Sequence, residues 1–120
     1  MVLVDTSVWV SHLRDGNPVL ASLLDNGEVL CHPLIIGELA CGSLKIRSTI
    51  LSFLQLLQMG LEAEHEEILS FIGDKHLMGK GIGYIDIHLL ASSMLSDVPL
   101  WTYDNSLALA ADSLHIKYLV

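Results

Sequence analysis

A chain of 120 residues, 52% apolar and with a net charge of −8, is long enough for one domain, 1–120, with its own core. Its acidity excludes non-specific nucleic-acid binding over a broad basic surface, which needs Lys and Arg to neutralise phosphates; acids that ligate a metal fall outside that exclusion, because the ion cancels part of their charge. A mean hydropathy of +0.54 is high for so small a domain, so part of the apolar surface is expected to form an interface, as a homodimer or with a partner.

Val2–Val4 is short, apolar and β-branched and predicts a buried strand. Asp5-Thr6-Ser7 is a helix-start signal, after which Val8, Trp9 and Leu13 share one helical face. Asp15-Gly16-Asn17-Pro18 predicts a turn, and Val19–Leu24 a second short helix. Asn26-Gly27 turns into a strand, Glu28–Cys31. Pro33 suits a helix first turn, with the helix running to about Ala40 and ending near Gly42. Ser43–Gln58 carries apolar residues at mostly three-to-four spacing and predicts a helix. A short strand is expected within Gln58–Leu61, then a helix over Glu64–Leu77 with acids in its first turn, as the helix dipole prefers. Gly79, Gly81 and Gly83 form a loop. A helix over Ile85–Leu95, a strand over Pro99–Thr102, a helix over Asn105–Ser113 and a last strand over Ile116–Leu119 complete the chain. Strands alternating with helices predict an α/β fold, with a mostly parallel central sheet and helices on both faces.

Cys31 and Cys41 form no CxxC pair and read as core thiols, which suits a reducing cytoplasm. Met1 leads straight into the first strand with no basic segment or cleavage site. No run approaches the ~18 apolar residues of a membrane span.

Asp5 ends the apolar run Val2-Leu3-Val4, Glu38 lies within Leu34–Ala40, Asp86 within Ile85–Ala91, and Asp104 follows Pro99–Tyr103. Carboxylates are rarely buried without a partner, yet the chain has only 6 Lys and Arg, none beside these acids. Asp5, Asp86 and Asp104 each precede or open a predicted helix and alone would read as caps; Glu38, in mid-helix, resists that reading. Asp5 and Asp104 also fall at the carboxyl ends of predicted strands, where parallel sheets bind ligands. Two like charges ~4 Å apart repel by roughly 4 kcal/mol at an effective dielectric of 20. A divalent cation relieves this, and oxygen-only ligands favour Mg²⁺ or Mn²⁺ over Zn²⁺. Mg²⁺ takes one or two carboxylates directly and the rest through water. Asp5, Asp86 and Asp104 are the expected ligands, with Glu38 completing a catalytic set. Thr6, Ser7 and Thr102 are placed to orient a carboxylate or a water. An ion so held activates water and stabilises a leaving oxygen in phosphodiester hydrolysis.

Four segments then resemble, in order and spacing, the acidic motifs of PIN-domain ribonucleases: Val2–Ser7, Ile36–Gly42, Gly83–Ser92 and Leu100–Asp104. Length and span resemble the toxin half of VapBC-type toxin–antitoxin pairs. The resemblance implies a PIN-like three-layer fold and a Mg²⁺- or Mn²⁺-dependent endoribonuclease acting on RNA. It also implies a cognate antitoxin, a dimer, and Asp5, Glu38, Asp86 and Asp104 as the acidic site. Tyr103 departs from the family, where many relatives carry Arg just before the last acid, and His88 is also less usual.

Gly79–Gly83 lacks the spacing of a dinucleotide loop, and His65-Glu66-Glu67-Ile68-Leu69 is not HExxH. Lys75, His76 and Lys80 cluster before the third acid, where they are either RNA-phosphate contacts or a solvated loop. A receiver-like signalling module would want paired acids after the first strand and a Lys after the last strands; Asp5 has no acidic neighbour and Lys117 falls inside a predicted strand. A dehalogenase-type phosphatase would want Asp where Ser7 stands. An inactive PIN scaffold is the remaining alternative, against which stand the intact acids at all four motifs.

Overall fold

The computed structural model describes residues 1–120. Four short strands, β1 (Val2–Val4), β2 (Val29–Cys31), β3 (Gln58–Met59) and β4 (Leu100–Trp101), form one sheet in the order β3-β2-β1-β4. Every pairing is parallel, with Leu3 opposite Leu30 on one side and Leu100 on the other. β1 is therefore interior, and its residues are buried without alternation, as a strand covered on both faces requires.

Seven helices connect and follow the strands: α1 (Thr6–Asp15), α2 (Pro18–Asp25), α3 (Pro33–Cys41), α4 (Arg47–Leu56), α5 (His65–Asp74), α6 (Tyr84–Ser96) and α7 (Asn105–Ser113). The chain steps outward from β1 to β2 to β3, then returns past β1 to β4. Right-handed crossovers in those two directions put α1–α4 on one face and α5–α7 on the other. The packing agrees: α1 lies on α3, α3 on α4, α5 on α6 and α6 on β4. This is the expected three-layer α/β fold. The reversal between β1 and β4 is a topological switch point, and the crevice at the carboxyl ends of those strands is where such sheets build sites.

Local signals explain most boundaries. Asn17 caps α2, its side-chain oxygen accepting from the Leu20 N–H at 3.1 Å, with Pro18 in the first turn. His32 caps α3 through Nδ1, which accepts from the Leu34 N–H at 3.0 Å.

Three elements differ from expectation. α4 begins at Arg47 rather than Ser43, because Ile46 adopts a left-handed conformation, φ 49°, that interrupts the periodic run. α5 stops at Asp74 rather than Leu77, and His76 is left-handed at φ 53°. The last strand reduces to a single parallel bridge between Leu100 and Lys117. Cys31 is buried as expected, whereas Cys41, at the end of α3, is exposed.

Candidate active site

Asp5 leaves the carboxyl end of β1 buried, 5% exposed, as the N-cap of α1. Its Oδ2 accepts from the Ser7 hydroxyl at 2.7 Å and the Thr102 hydroxyl at 2.7 Å, and more weakly from the Ser7 N–H at 3.4 Å. A hydroxyl has one hydrogen, so with both donated to Asp5, the 3.3 Å approach of Ser7 Oγ to Thr102 Oγ1 carries no further bond. Both hydroxyls accept in turn: Ser7 Oγ from the Tyr103 N–H at 3.0 Å, and Thr102 Oγ1 from the Asp104 N–H at 3.0 Å. The turn after β4 is thus tied to the turn after β1, through one carboxylate.

Glu38, half-buried on α3, accepts at Oε1 from the Thr6 hydroxyl at 2.7 Å. Asp86, half-buried in the first turn of α6, accepts from the Gly83 N–H at 3.2 Å. Asp104, exposed, caps α7 by accepting from the Leu107 N–H at 2.8 Å. Asp5, Asp86 and Asp104 therefore have the helix-capping role that their sequence positions suggest. Glu38 has a hydroxyl partner instead. Of the other polar residues singled out, Thr6 orients Glu38, and Ser7 and Thr102 orient Asp5.

The carboxyl of Asp86 is pushed above its ordinary range, first by burial; the Gly83 N–H pulls it down, and the charges of Asp5, Asp104 and Glu38 push it up. The four acids thus share one electrostatic environment. No cation answers them: the only salt bridge in the protein is Arg14–Asp15. The donor set is all oxygen, which fits a hard divalent cation. The carboxylates point at protein donors, and no three of the Asp, Glu, His or Cys side chains are gathered as ligands of one ion. An all-oxygen set of this kind suits an ion that takes one or two carboxylates directly and completes its shell with water.

Lys75 and Lys80 make no salt bridge with any of the four acids. With His76, Ser106 and Ser113 they line a cavity of about 400 Å³ between the 75–80 segment and α7. The two serines carry no sequence signal of this role, since nothing local pairs α7 with that loop. Tyr103 Oη accepts from the Asn17 amide at 2.8 Å, clasping the β4–α7 turn to the start of α2. Sequence carries no signal for that contact.

No helix is long and apolar enough to cross a membrane. Residues 2–113 match the PIN domain family model. The chain is 43% identical over 111 residues to Ribonuclease VapC32 in two strains of Mycobacterium tuberculosis, covering 92% of this chain and 90% of the relative. The crystal structure of PAE2754 from Pyrobaculum aerophilum superposes with a TM-score of 0.61 over 91% of this chain and 78% of that one, at 17% identity, a likeness of fold. With the parallel sheet, these matches place the chain in the PIN-domain family, among proteins of the VapC type.

Proposed function

We propose that residues 1–120 act as one PIN-like domain, a Mg²⁺- or Mn²⁺-dependent endoribonuclease that is the toxin of a type II toxin–antitoxin pair. The observation that carries this reading is the electrostatic coupling of Asp86 to Asp5, Asp104 and Glu38 with no protein cation to offset it. The 43% identity to a protein named a ribonuclease supports the choice of RNA as substrate.

In this reading Asp5, Asp86 and Asp104 would hold the ion. The ion supplies, when bound, an activated water and positive charge against the scissile phosphate. Ser7 and Thr102 keep Asp5 in one rotamer through Oδ2, which leaves Oδ1 without a protein hydrogen bond. Thr6 occupies Oε1 of Glu38 and leaves Oε2 to orient the attacking water and accept its proton. The water oxygen bonds to phosphorus as the phosphorus–oxygen bond to the leaving nucleotide breaks.

A homodimer and a cognate antitoxin complete the proposal, in the cytoplasm. Ile46 and Leu56, 74% and 85% exposed at the two ends of α4, with Phe53 also exposed, supply apolar surface for such contacts. The test is cleavage of RNA by the purified protein in Mg²⁺ or Mn²⁺. Cleavage should disappear in chelator and in Asp5→Asn. Equal cleavage by Asp5→Asn would remove the basis for the reading.

A further inference from the structure

Of the 6 Lys and Arg residues in the chain, two, Lys75 and Lys80, line the same cavity of about 400 Å³, together with His76 and the hydroxyl-bearing Ser106 and Ser113. In a protein of net charge −8 this concentration of donors is an exception. Both lysines are exposed and neither has a carboxylate partner, since the one salt bridge lies elsewhere. The backbone holds this shape through left-handed residues: His76 at φ 53°, Gly79 at 69° and Gly81 at 74°. At Gly81 a Cβ would sit 3.3 Å from Ser106 Oγ, so the absence of a side chain lets the loop close on α7. Ser106 lies two residues beyond Asp104, and Lys80 lies in the loop that leads into α6 and Asp86. One end of the cavity is thus two residues in sequence from Asp104 and six from Asp86, at the starts of α7 and α6.

We propose that this cavity is a phosphate subsite that seats the RNA backbone next to the scissile bond, with Lys75 and Lys80 as charge partners and Ser106 as a hydrogen-bond donor. This rests on the ribonuclease reading and extends it. An acidic crevice repels a polyanion; a basic pocket at its rim supplies the attraction that the acids withhold. Lysines act as point charges on phosphate, so the subsite carries affinity and register rather than base preference.

The experiment measures binding and turnover separately. Binding of a single-stranded RNA oligonucleotide is followed by fluorescence anisotropy across a salt series, in an Asp86→Asn background that does not cleave. Adding Lys75→Gln and Lys80→Gln should weaken binding about tenfold across unrelated sequences. The slope of log affinity against log salt should flatten by about 0.7 for each phosphate that the protein no longer neutralises. Lys75→Arg with Lys80→Arg should keep the slope. In the active protein the Gln pair should raise KM and leave kcat within about twofold. An unchanged slope and KM would overturn the subsite, as would a fall in kcat with KM unmoved. The two readings fail separately: protein that binds RNA with lysine-dependent salt sensitivity but never cleaves it retains the subsite and loses the nuclease, and protein that cleaves with no lysine dependence does the reverse. Both lysines are exposed, so equal melting temperatures will show that the fold is intact.

Discussion

Thr102 Oγ1 donates to Asp5 Oδ2 at 2.7 Å, joining residues 97 apart in sequence across the carboxyl ends of β1 and β4. The same oxygen accepts from the Asp104 N–H, so one hydroxyl fixes a buried carboxylate and the backbone of a second acid. Thr102→Val keeps the shape and removes both bonds. Outer partners of metal-ligating groups are worth roughly 10–100-fold in affinity or activity. We expect a loss of activity in that range and a stability loss of about 1.5–3 kcal/mol, from the hydroxyl bond lost to the buried Asp5 carboxylate; the exposed Asp104 N–H turns to water. Urea unfolding and cleavage rates on the same preparation check both. Full activity would show that Ser7 alone suffices to hold Asp5.

Asp86 presents the opposite balance. Burial and three like charges act against its ionised form, and only the Gly83 N–H favours it. Asp86→Asn retains an acceptor for that N–H and removes the charge. In chelator the variant should therefore melt higher than the wild type, by a few degrees. Mg²⁺ should then raise the wild-type melting temperature and leave the variant's unchanged, which couples ion binding to fold stability. A variant that melts well below wild type would show that the carboxylate serves as a structural cap.

How legible this was in sequence varied with how local each cause is. Val2–Val4 reads as a strand because a strand buried on both faces needs an unbroken apolar run. Asn105–Ser113 matches its predicted bounds because Asp104 caps it within three residues. The start of α4 was illegible because Leu44 and Ile46 continue the apolar spacing into a segment that Ile46 breaks by its backbone angle. The Ile116–Leu119 strand is apolar and β-rich, yet only Lys117 pairs, since β4 itself is two residues long. The acids announced themselves by standing in apolar runs. Their partners did not: Thr6 reaches Glu38 across 32 residues and Thr102 reaches Asp5 across 97, pairings set by strand order rather than spacing. The basic cavity needed α7 and the 75–80 loop to meet, which only the return of the chain past β1 brings about.

His32 makes stability depend on pH in a definite direction. It is buried, its Nδ1 is occupied as the acceptor of the α3 cap, and its Nε2 has no partner. Burial holds its pKa below the ordinary 6.5; the charge of Glu62 acts upward and that of His88 downward. The unfolded chain therefore takes the proton more readily than the fold. The stabilisation is complete above about pH 6.5 and is lost as pH falls from there toward the depressed folded value. His88 is also held low by burial, with Glu62 acting upward and His65 downward, and adds in the same sense. Melting temperatures at pH 7.5 and 5.5 should fall further for the wild type than for His32→Asn, which keeps a cap residue without a titrating ring. Equal falls would assign the acid sensitivity to other groups.

The phenol oxygen of Tyr103, one residue before Asp104, accepts from the Asn17 amide at 2.8 Å. Asn17 is buried, 8% exposed, and saturated at its other atoms: its side-chain oxygen accepts from the Leu20 N–H, and its backbone N–H donates to His12 Nδ1. Tyr103→Phe removes the only acceptor for that amide nitrogen while keeping the ring packed edge-on to Trp101, with centroids 6.0 Å apart. A buried donor left without a partner costs about 1–3 kcal/mol, which for a chain of this length lowers the melting temperature by roughly 4 °C per kcal/mol. Tyr103→Arg should cost at least as much, because guanidinium has no acceptor to offer Asn17. It also sets a positive charge next to Asp104, so RNA affinity should rise in the variant even as the melting temperature falls. Thermal melts and anisotropy binding on Tyr103→Phe and Tyr103→Arg separate the two effects. A Tyr103→Phe protein that melts with the wild type would mean that water takes over the Asn17 donor, and that the clasp between α2 and the β4–α7 turn contributes no stability.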